Sequence, residues 1–203
     1  MTGALRLIAI AAAAALTAAS APAAPSVPAD MGLGSPKAPL TVIEYASVGC
    51  SHCGAWARDV FPAFKAKYVD TGRVRYVLRE MLFGDGPLAM MGFLTARCAG
   101  AAKYFQVVDG IFAAQPEMER TGDAMAPLIR IAKQAGLSQA QFTACISEPA
   151  SQLALQARAD GYVDRDHITA TPTFVIGDTR LEGNQNLAAL DGAIAAAQRP
   201  KPR

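Results

Sequence analysis

Two cysteines three residues apart, Cys50 and Cys53, are the side chains of this sequence best suited to chemistry. They follow a mostly apolar run at residues 40–46 and begin a stretch with helical character that continues over residues 54–68. Thiols with this spacing at the start of a helix can close a disulfide without moving the backbone, and the helix N-terminus favours a thiolate at the first of them. The pair therefore indicates disulfide exchange, while a structural disulfide and half of a zinc site are the alternatives.

A second motif lies far along the chain, where Pro172 follows Thr171 and opens an apolar run at residues 173–176. Proline is allowed at the first residue of a strand and hardly elsewhere in a sheet. If the Thr171–Pro172 peptide bond is cis, the turn can bring the backbone of Thr171 beside the cysteine pair. There its N–H and C=O groups can pair with an extended peptide by strand addition. We therefore predict that Thr171 and Pro172 bind substrate.

Six elements are expected to position these two motifs, and they follow a β-α-β then β-β-α order. They are a strand at residues 41–46, a helix at 49–68 kinked or interrupted by Pro62, a strand at 73–81, a strand at 173–176, a return strand at 179–183 and a helix at 186–198. A strand, a crossover helix and a second strand predict a parallel strand pair. The order is that of a thioredoxin frame.

Between the two halves of this frame the periodicity is helical throughout. The helices are predicted at residues 88–99, 102–114, 122–134, 138–147 and 149–163. The fold class is therefore α/β, a thioredoxin-like fold with an all-helical domain inserted between its βαβ and ββα halves. The boundaries place residues 40–86 and 168–199 in the thioredoxin-like domain and residues 87–167 in the helical insertion.

The N-terminal residues are typical of a secretory signal. Arg6 is followed by an apolar, Ala-rich stretch at residues 7–19 and by an A-x-A cleavage site, which predicts a signal peptide at residues 1–23. The apolar stretch is shorter than the roughly 20 residues that span a bilayer, and an uncleaved membrane anchor is the alternative. Residues 24–39 are rich in Pro, Ala and Gly and are expected to form a mobile leader. Export places the cysteines in an oxidising compartment.

The composition narrows the class of protein further. Of 203 residues, 52% are hydrophobic and 18% charged, which predicts one globular domain with a substantial core. The net charge is +2 and there is no dense run of Lys and Arg, so the chain lacks the charge pattern of a nucleic-acid-binding protein.

The chain resembles the DsbA family, thioredoxin-fold thiol–disulfide oxidoreductases of the bacterial envelope. Three elements carry the resemblance: Cys50-Ser51-His52-Cys53 resembles the family's C-P-H-C, Thr171-Pro172-Thr173-Phe174 resembles its cis-Pro loop, and Glu44 matches its buried acid beneath the active site. The resemblance covers about residues 33–198. One departure is Ser51, which replaces the family's usual proline and leaves the redox strength open.

Each residue of the site has an expected role. Cys50 is the attacking sulfur, with a pKa below its ordinary value because of the helix N-terminus and His52. Cys53 is the buried resolving thiol. His52 is expected to donate to the Cys50 sulfur or to present positive charge to it, and the resemblance favours the electrostatic role; an exposed spacer is the alternative. Glu44 lies on a strand expected to be buried, and we interpret it as the proton acceptor for Cys53; a carboxylate pointing out at the strand end is the alternative.

The remaining cysteines, Cys98 and Cys145, each lie in a predicted helix of the insertion, and such a pair occurs only in some DsbA-like proteins. Pairing would close a loop of about 47 residues, which stabilises on the order of 4 kcal/mol in the chain-entropy model. We expect a structural disulfide, with two buried free thiols as the alternative. No second C-x-x-C accompanies them, so no metal site is predicted.

These features together predict a periplasmic dithiol oxidase. A thiolate of a reduced exported polypeptide attacks the Cys50–Cys53 disulfide, a mixed disulfide forms at Cys50, and a second substrate thiol resolves it. The resemblance implies reoxidation by a quinone-linked membrane partner, and no organic cofactor or metal is expected.

Two other functions stay open. A disulfide reductase or isomerase of the same fold is one, although such isomerases carry an N-terminal dimerisation domain. Only about 17 residues separate the predicted cleavage site from the first strand, so we expect a monomer. The other is a non-catalytic module that binds a metal or a peptide in the same groove.

Overall fold

The computed structural model describes residues 30–199. The predicted signal peptide, and residues 24–29 of the predicted leader, lie outside the described residues. Within residues 30–199, no helix is both long and apolar enough to cross a lipid bilayer.

A five-stranded mixed sheet forms the centre of the fold, in the order β1-β3-β2-β4-β5. The strands are β1 (Met31–Leu33), β2 (Leu40–Ala46), β3 (Val74–Glu80), β4 (Thr173–Ile176) and β5 (Thr179–Glu182). As predicted, β2 and β3 are parallel, whereas the other three pairs are antiparallel. The central strand β2 is apolar along most of its length because it has a neighbour on each side and helices over its faces.

Helices surround this sheet. They are α1 (Ser51–Asp59), α2 (Phe61–Phe64) with a π-helical turn at Lys65–Val69, α3 (Gly86–Cys98), α4 (Tyr104–Thr121), α5 (Met125–Gln134), α6 (Gln139–Ile146), α7 (Pro149–Asp166) and α8 (Leu187–Ala197). Five of them, α3 to α7, lie between β3 and β4 in the chain. The fold is thus thioredoxin-like with helices inserted between its halves, which confirms the predicted fold class.

Two details, strand β1 and the length of α4, differ from the sequence-based expectation. Strand β1 was not predicted; it lies in the segment expected to be a leader and pairs antiparallel with β3. Three residues are too few to show strand alternation. The helix expected over residues 49–68 is interrupted after Asp59, which is one of the two outcomes expected of Pro62, and Pro62 lies in the first turn of α2, where its missing N–H is not needed. Helix α4 continues through Pro116, beyond its predicted end at Ala114.

An aromatic cluster packs α1 and α2 against the sheet. The ring of Trp56 lies 4.7 Å from that of Phe174 on β4, and Phe61 lies 4.9 Å from Tyr76 on β3, measured between ring centroids. Trp56, Phe61 and Phe64 are buried in the core. Burial of several large rings at one place stabilises the position of α1, and therefore of the cysteines at its start.

Candidate active site

Strand register brings the two sequence motifs together. Strand β4 runs antiparallel to β2, and Thr173 pairs with Tyr45 near the end of β2. The residue before β4, Pro172, therefore lies beside the residues that follow β2, where α1 begins. The Thr171–Pro172 peptide bond is cis, and Sγ of Cys50 lies 3.4 Å from the carbonyl oxygen of Thr171, to which the protonated thiol donates a hydrogen bond.

The two cysteines have different environments. Cys50 is the N-cap residue of α1 and is half-buried, whereas Cys53 lies in the first turn and is fully buried. A hydrogen bond from the Cys53 thiol lowers the pKa of Cys50 to about 5, assisted by the backbone N–H groups of Cys53 and His52 and opposed by partial burial. Cys50 is consequently a thiolate at neutral pH in the reduced protein.

The pKa of Cys53 shifts in the opposite direction from that of Cys50. Burial raises its pKa well above the ordinary value, and the neighbouring Cys50 and Glu44 raise it further. The backbone N–H of Ser47 donates to its sulfur at 3.5 Å and partly offsets this effect. The pair thus holds one nucleophilic thiolate near the surface and one protonated thiol inside.

Glu44 lies on β2, and only 2% of its surface is exposed. Burial raises its pKa to about 8, although the hydroxyl of Tyr76 donates a 2.5 Å hydrogen bond that favours the carboxylate. The negative charge of Cys50 contributes to the rise. Glu44 is therefore a protonated acid near pH 7 and is electrostatically coupled to both cysteines, so the alternative of an outward-pointing carboxylate is wrong.

The imidazole of His52 is exposed and, in the described part of the chain, donates no hydrogen bond to the Cys50 sulfur. The predicted hydrogen bond from its side chain is therefore not present. His52 assists Cys50 through its backbone N–H, because it occupies the first turn of α1.

Gln115 on α4 was missed by the sequence analysis. Its Nε2 donates to the carbonyls of Val48 and Cys50, at 2.9 Å and 3.1 Å, and so fixes the loop that carries the cysteine pair. A signal existed: Gln115 is one helical turn after Ile111 on the buried face of α4, where a polar residue needs a partner.

Gly54 allows this approach of α4 to α1. A Cβ atom at Gly54 would lie 1.7 Å from Oε1 of Gln115. Any larger residue there would displace the amide that holds the carbonyl of Cys50.

A surface groove adjoins the cysteine pair, with a volume of about 330 Å³. Its walls come from the start of α1, the start of α3 and the end of α4, and include Gly49, Ser51, Asp85, Leu88, Gln115 and Met118. A groove of mixed polar and apolar character beside a reactive sulfur is suited to an extended polypeptide.

Cys98 and Cys145 are joined by a disulfide that links the end of α3 to α6, with their Cα atoms 6.3 Å apart. Cys50 and Cys53 are free thiols in the structure. Among residues 30–199, no three His, Cys, Asp or Glu side chains are grouped so as to hold a metal ion.

A family model described as thioredoxin matches residues 26–196. The chain belongs to the thioredoxin family. Within that family it is DsbA-like, as the sequence motifs predicted. The crystal structure of alpha-DsbA1 from Wolbachia pipientis is 28% identical, has a TM-score of 0.76, and covers 84% of this chain and 91% of that one.

Two further proteins extend the comparison. A protein of Rickettsia bellii named "Putative protein-disulfide oxidoreductase" is 28% identical over 169 residues, 81% of this chain and 64% of that protein. The chain thus spans somewhat under two thirds of the length of this curated relative. A protein-disulfide isomerase from Novosphingobium aromaticivorans is 21% identical with a TM-score of 0.68, covers 84% of this chain and 98% of that one, and shares the fold.

Proposed function

We propose that this protein is a periplasmic thiol–disulfide oxidoreductase that donates its Cys50–Cys53 disulfide to reduced exported polypeptides. The observation that carries the proposal is the placement of the two thiols: Cys50 is half-buried at the N-cap of α1 beside the cis-Pro loop, whereas Cys53 is buried in the first turn. This placement lowers the pKa of Cys50 to about 5 and raises that of Cys53 well above its ordinary value. The Cys50 sulfur is therefore a good leaving group, and the Cys53 sulfur holds a proton.

The steps follow from this asymmetry. A substrate thiolate attacks the Cys50 sulfur, the Cys50–Cys53 bond breaks, and the electron pair goes to Cys53, which takes a proton from Glu44. A second substrate thiolate then attacks the substrate sulfur of the mixed disulfide and expels Cys50 as a thiolate. The substrate leaves oxidised by two electrons, and the enzyme is left as a thiolate at Cys50 and a thiol at Cys53.

The low pKa of Cys50 supports the oxidising direction. A stabilised thiolate lowers the free energy of the reduced enzyme, and therefore makes its disulfide a stronger oxidant. The predicted signal peptide supports export, and the DsbA likeness supports reoxidation by a quinone-linked membrane partner. We propose that the enzyme acts as a monomer.

The cis-Pro loop supports substrate binding next to Cys50. Thr171 lies beside the sulfur, and Pro172 is buried, with its carbonyl held by the backbone N–H of Gly183 at 2.8 Å. A loop anchored in this way can present the backbone of Thr171 to an extended peptide without rearrangement.

Cysteine variants test the mechanism. Cys50→Ser should abolish oxidation of a reduced model protein. Cys53→Ser cannot form the active-site disulfide, so its Cys50 thiolate should attack added glutathione disulfide, release one glutathione thiolate and accumulate a mixed disulfide at Cys50, detected by mass spectrometry. Cys98→Ala/Cys145→Ala is the matched control and should retain oxidation. Oxidation by the Cys50→Ser variant would contradict the mechanism.

The reduction potential tests the direction. An oxidase requires a potential well above that of thioredoxin, which is about −270 mV. Equilibration of Cys50 and Cys53 with glutathione gives the value, and a potential as low as that of thioredoxin would favour a reductase.

A further inference from the structure

A small internal cavity lies between β2, β3, α1 and α4. Its volume is about 10 Å³, which is room for about one water molecule. Four of its lining residues carry polar groups, Glu44, Trp56, Tyr76 and Asp109, whereas the others, which include Phe105 and Phe112, are all apolar. The cavity therefore joins the buried acid of the active site to a second acid on α4.

The polar lining suits a bound water molecule. The indole Nε1–H of Trp56 is buried and makes no hydrogen bond to any described group of the protein. A buried donor without a partner is costly, and buried water usually satisfies such groups when two to four polar partners surround it. The carboxyl group of Glu44 and the hydroxyl of Tyr76 line the same space.

Asp109 connects this cavity to solvent. It lines the cavity, yet the residue as a whole is exposed on the surface of α4. Partial burial of its carboxyl group raises the pKa of Asp109 to about 6, opposed by the charge of Lys65. Groups that titrate close to neutral pH exchange protons efficiently in both directions.

Glu44 needs such a route, because it is buried and exchanges a proton in every cycle. The charged and titratable groups that act on it are Cys50 and Cys53 from the start of α1, Tyr76 from β3 and Asp109 from α4. Tyr76 cannot supply the proton near neutral pH, because burial raises its own pKa well above the ordinary value.

We propose that Asp109 and one water molecule in this cavity carry protons between Glu44 and solvent. The inference rests on the proposed function and extends it. When the Cys50–Cys53 bond breaks, Glu44 gives its proton to Cys53, and the resulting carboxylate is reprotonated through the water from Asp109. When the pair is reoxidised, the proton of Cys53 returns to Glu44 and leaves by the same route. Asp109 touches no reacting sulfur; it is a positioning residue that acts through Glu44.

Proton exchange at Glu44 can be measured without any turnover. Laser-released protons change the pH of the reduced protein, and time-resolved infrared spectroscopy follows the carboxyl C=O band of Glu44, which is assigned by its loss in Glu44→Gln. In Asp109→Asn the relaxation should slow by about tenfold or more, because exchange then requires local opening of the structure.

Two variants separate a relay from a change in packing. Asp109→Glu keeps a carboxyl group and should retain fast relaxation, as should Asp164→Asn, which removes the same charge from an exposed position on α7. Removal of the Asp109 charge should also shift the Glu44 midpoint downward, so the rates are compared at each variant's own midpoint.

The outcomes are distinct. Relaxation of Asp109→Asn at the wild-type rate, or equal slowing in Asp109→Glu, would overturn the relay. A wild-type protein that fails to oxidise dithiols would overturn the proposed function alone, because the infrared measurement does not depend on substrate oxidation.

Discussion

Glu44 links the chemistry of the site to the stability of the fold. Its pKa is about 8 in the folded chain because of burial, against 4.5 for an exposed glutamate. Between these values Glu44 holds a proton in the folded chain that it has lost in the unfolded chain, so the contribution of Glu44 to stability falls as pH rises from about 4.5 to about 8 and is level above that range.

Substitution of Glu44 by glutamine should remove this loss. The amide can keep a hydrogen bond to Tyr76 without a charge to bury. Glu44→Gln should therefore gain stability relative to the parent with rising pH, by on the order of 4 kcal/mol at pH 9. Urea unfolding at pH 5 and pH 9 measures it, in a Cys50→Ser/Cys53→Ser background that removes thiol titration. Glu182→Gln, an exposed acid on β5, is the control, and parallel curves for both variants would contradict the expectation.

The site residues that sequence reasoning found are those with a local signal. The cysteine spacing, the proline before a strand and the acid within an apolar strand can each be recognised in a few consecutive residues. Gln115 has only a weaker signal, as a polar residue on the buried face of α4, and Asp109 has none, because an amphipathic pattern shows which face of α4 is buried but not which element covers it. His52 is the reverse case. Its position in the motif was recognised, but the motif does not determine where its side chain points, and the side chain is exposed.

At the scale of elements, α1 and α4 depend on each other. Pro116 has no N–H to donate to the carbonyl of Phe112, one turn earlier, and this is why a helix end was expected near residue 114. In the structure the guanidinium of Arg58 on α1 donates to that carbonyl at 2.6 Å. A donor 58 positions earlier in the chain than Pro116 cannot be inferred from helical periodicity, so the continuation of α4 was not predicted.

A double-mutant cycle can test whether the guanidinium of Arg58 takes the place of the N–H that Pro116 lacks. Arg58→Ala should destabilise the protein by about 1–2 kcal/mol, because it leaves the Phe112 carbonyl without its donor. In a Pro116→Ala background residue 116 regains an N–H, so Arg58→Ala should cost less, with a coupling energy of about 1 kcal/mol. Arg165→Ala on α7 is the control and should be additive with Pro116→Ala. If the stability loss of Arg58→Ala is also additive with that of Pro116→Ala, then the guanidinium of Arg58 does not replace the missing N–H of residue 116.

At the scale of the whole molecule, the sequence predicted the order of the elements but not all of their contacts. The switch from strand to helical periodicity and back again located the inserted helices. It could not show that Glu80 at the end of β3 would join the sheet to two of them, accepting hydrogen bonds from Arg97 of α3 and Tyr104 of α4. Nor did it predict that β1 would extend the sheet beyond β3, because that contact joins distant parts of the chain.

The disulfide between Cys98 and Cys145 adds a covalent link within the inserted helices. Its partners are 47 residues apart, so the bond removes much of the freedom of the unfolded chain, on the order of 4 kcal/mol in the chain-entropy model. The helices it joins also pack through apolar side chains, including the fully buried Phe142 of α6. We therefore expect Cys98→Ala/Cys145→Ala to remain folded but to unfold at lower urea concentration, with a stability loss of about 2–4 kcal/mol.

The comparison is best made in a Cys50→Ser/Cys53→Ser background. Of the four cysteines of the chain, this background keeps only Cys98 and Cys145, so theirs is the one disulfide that can form within it. Reduction of that background with a strong thiol should then reproduce the loss seen in the alanine variant. If the loss is entropic, it should appear mainly in the midpoint and the folding rate, since the unfolded chain is the state that the bond constrains. Equal stability of the oxidised parent and the alanine variant would show that packing alone fixes the inserted helices.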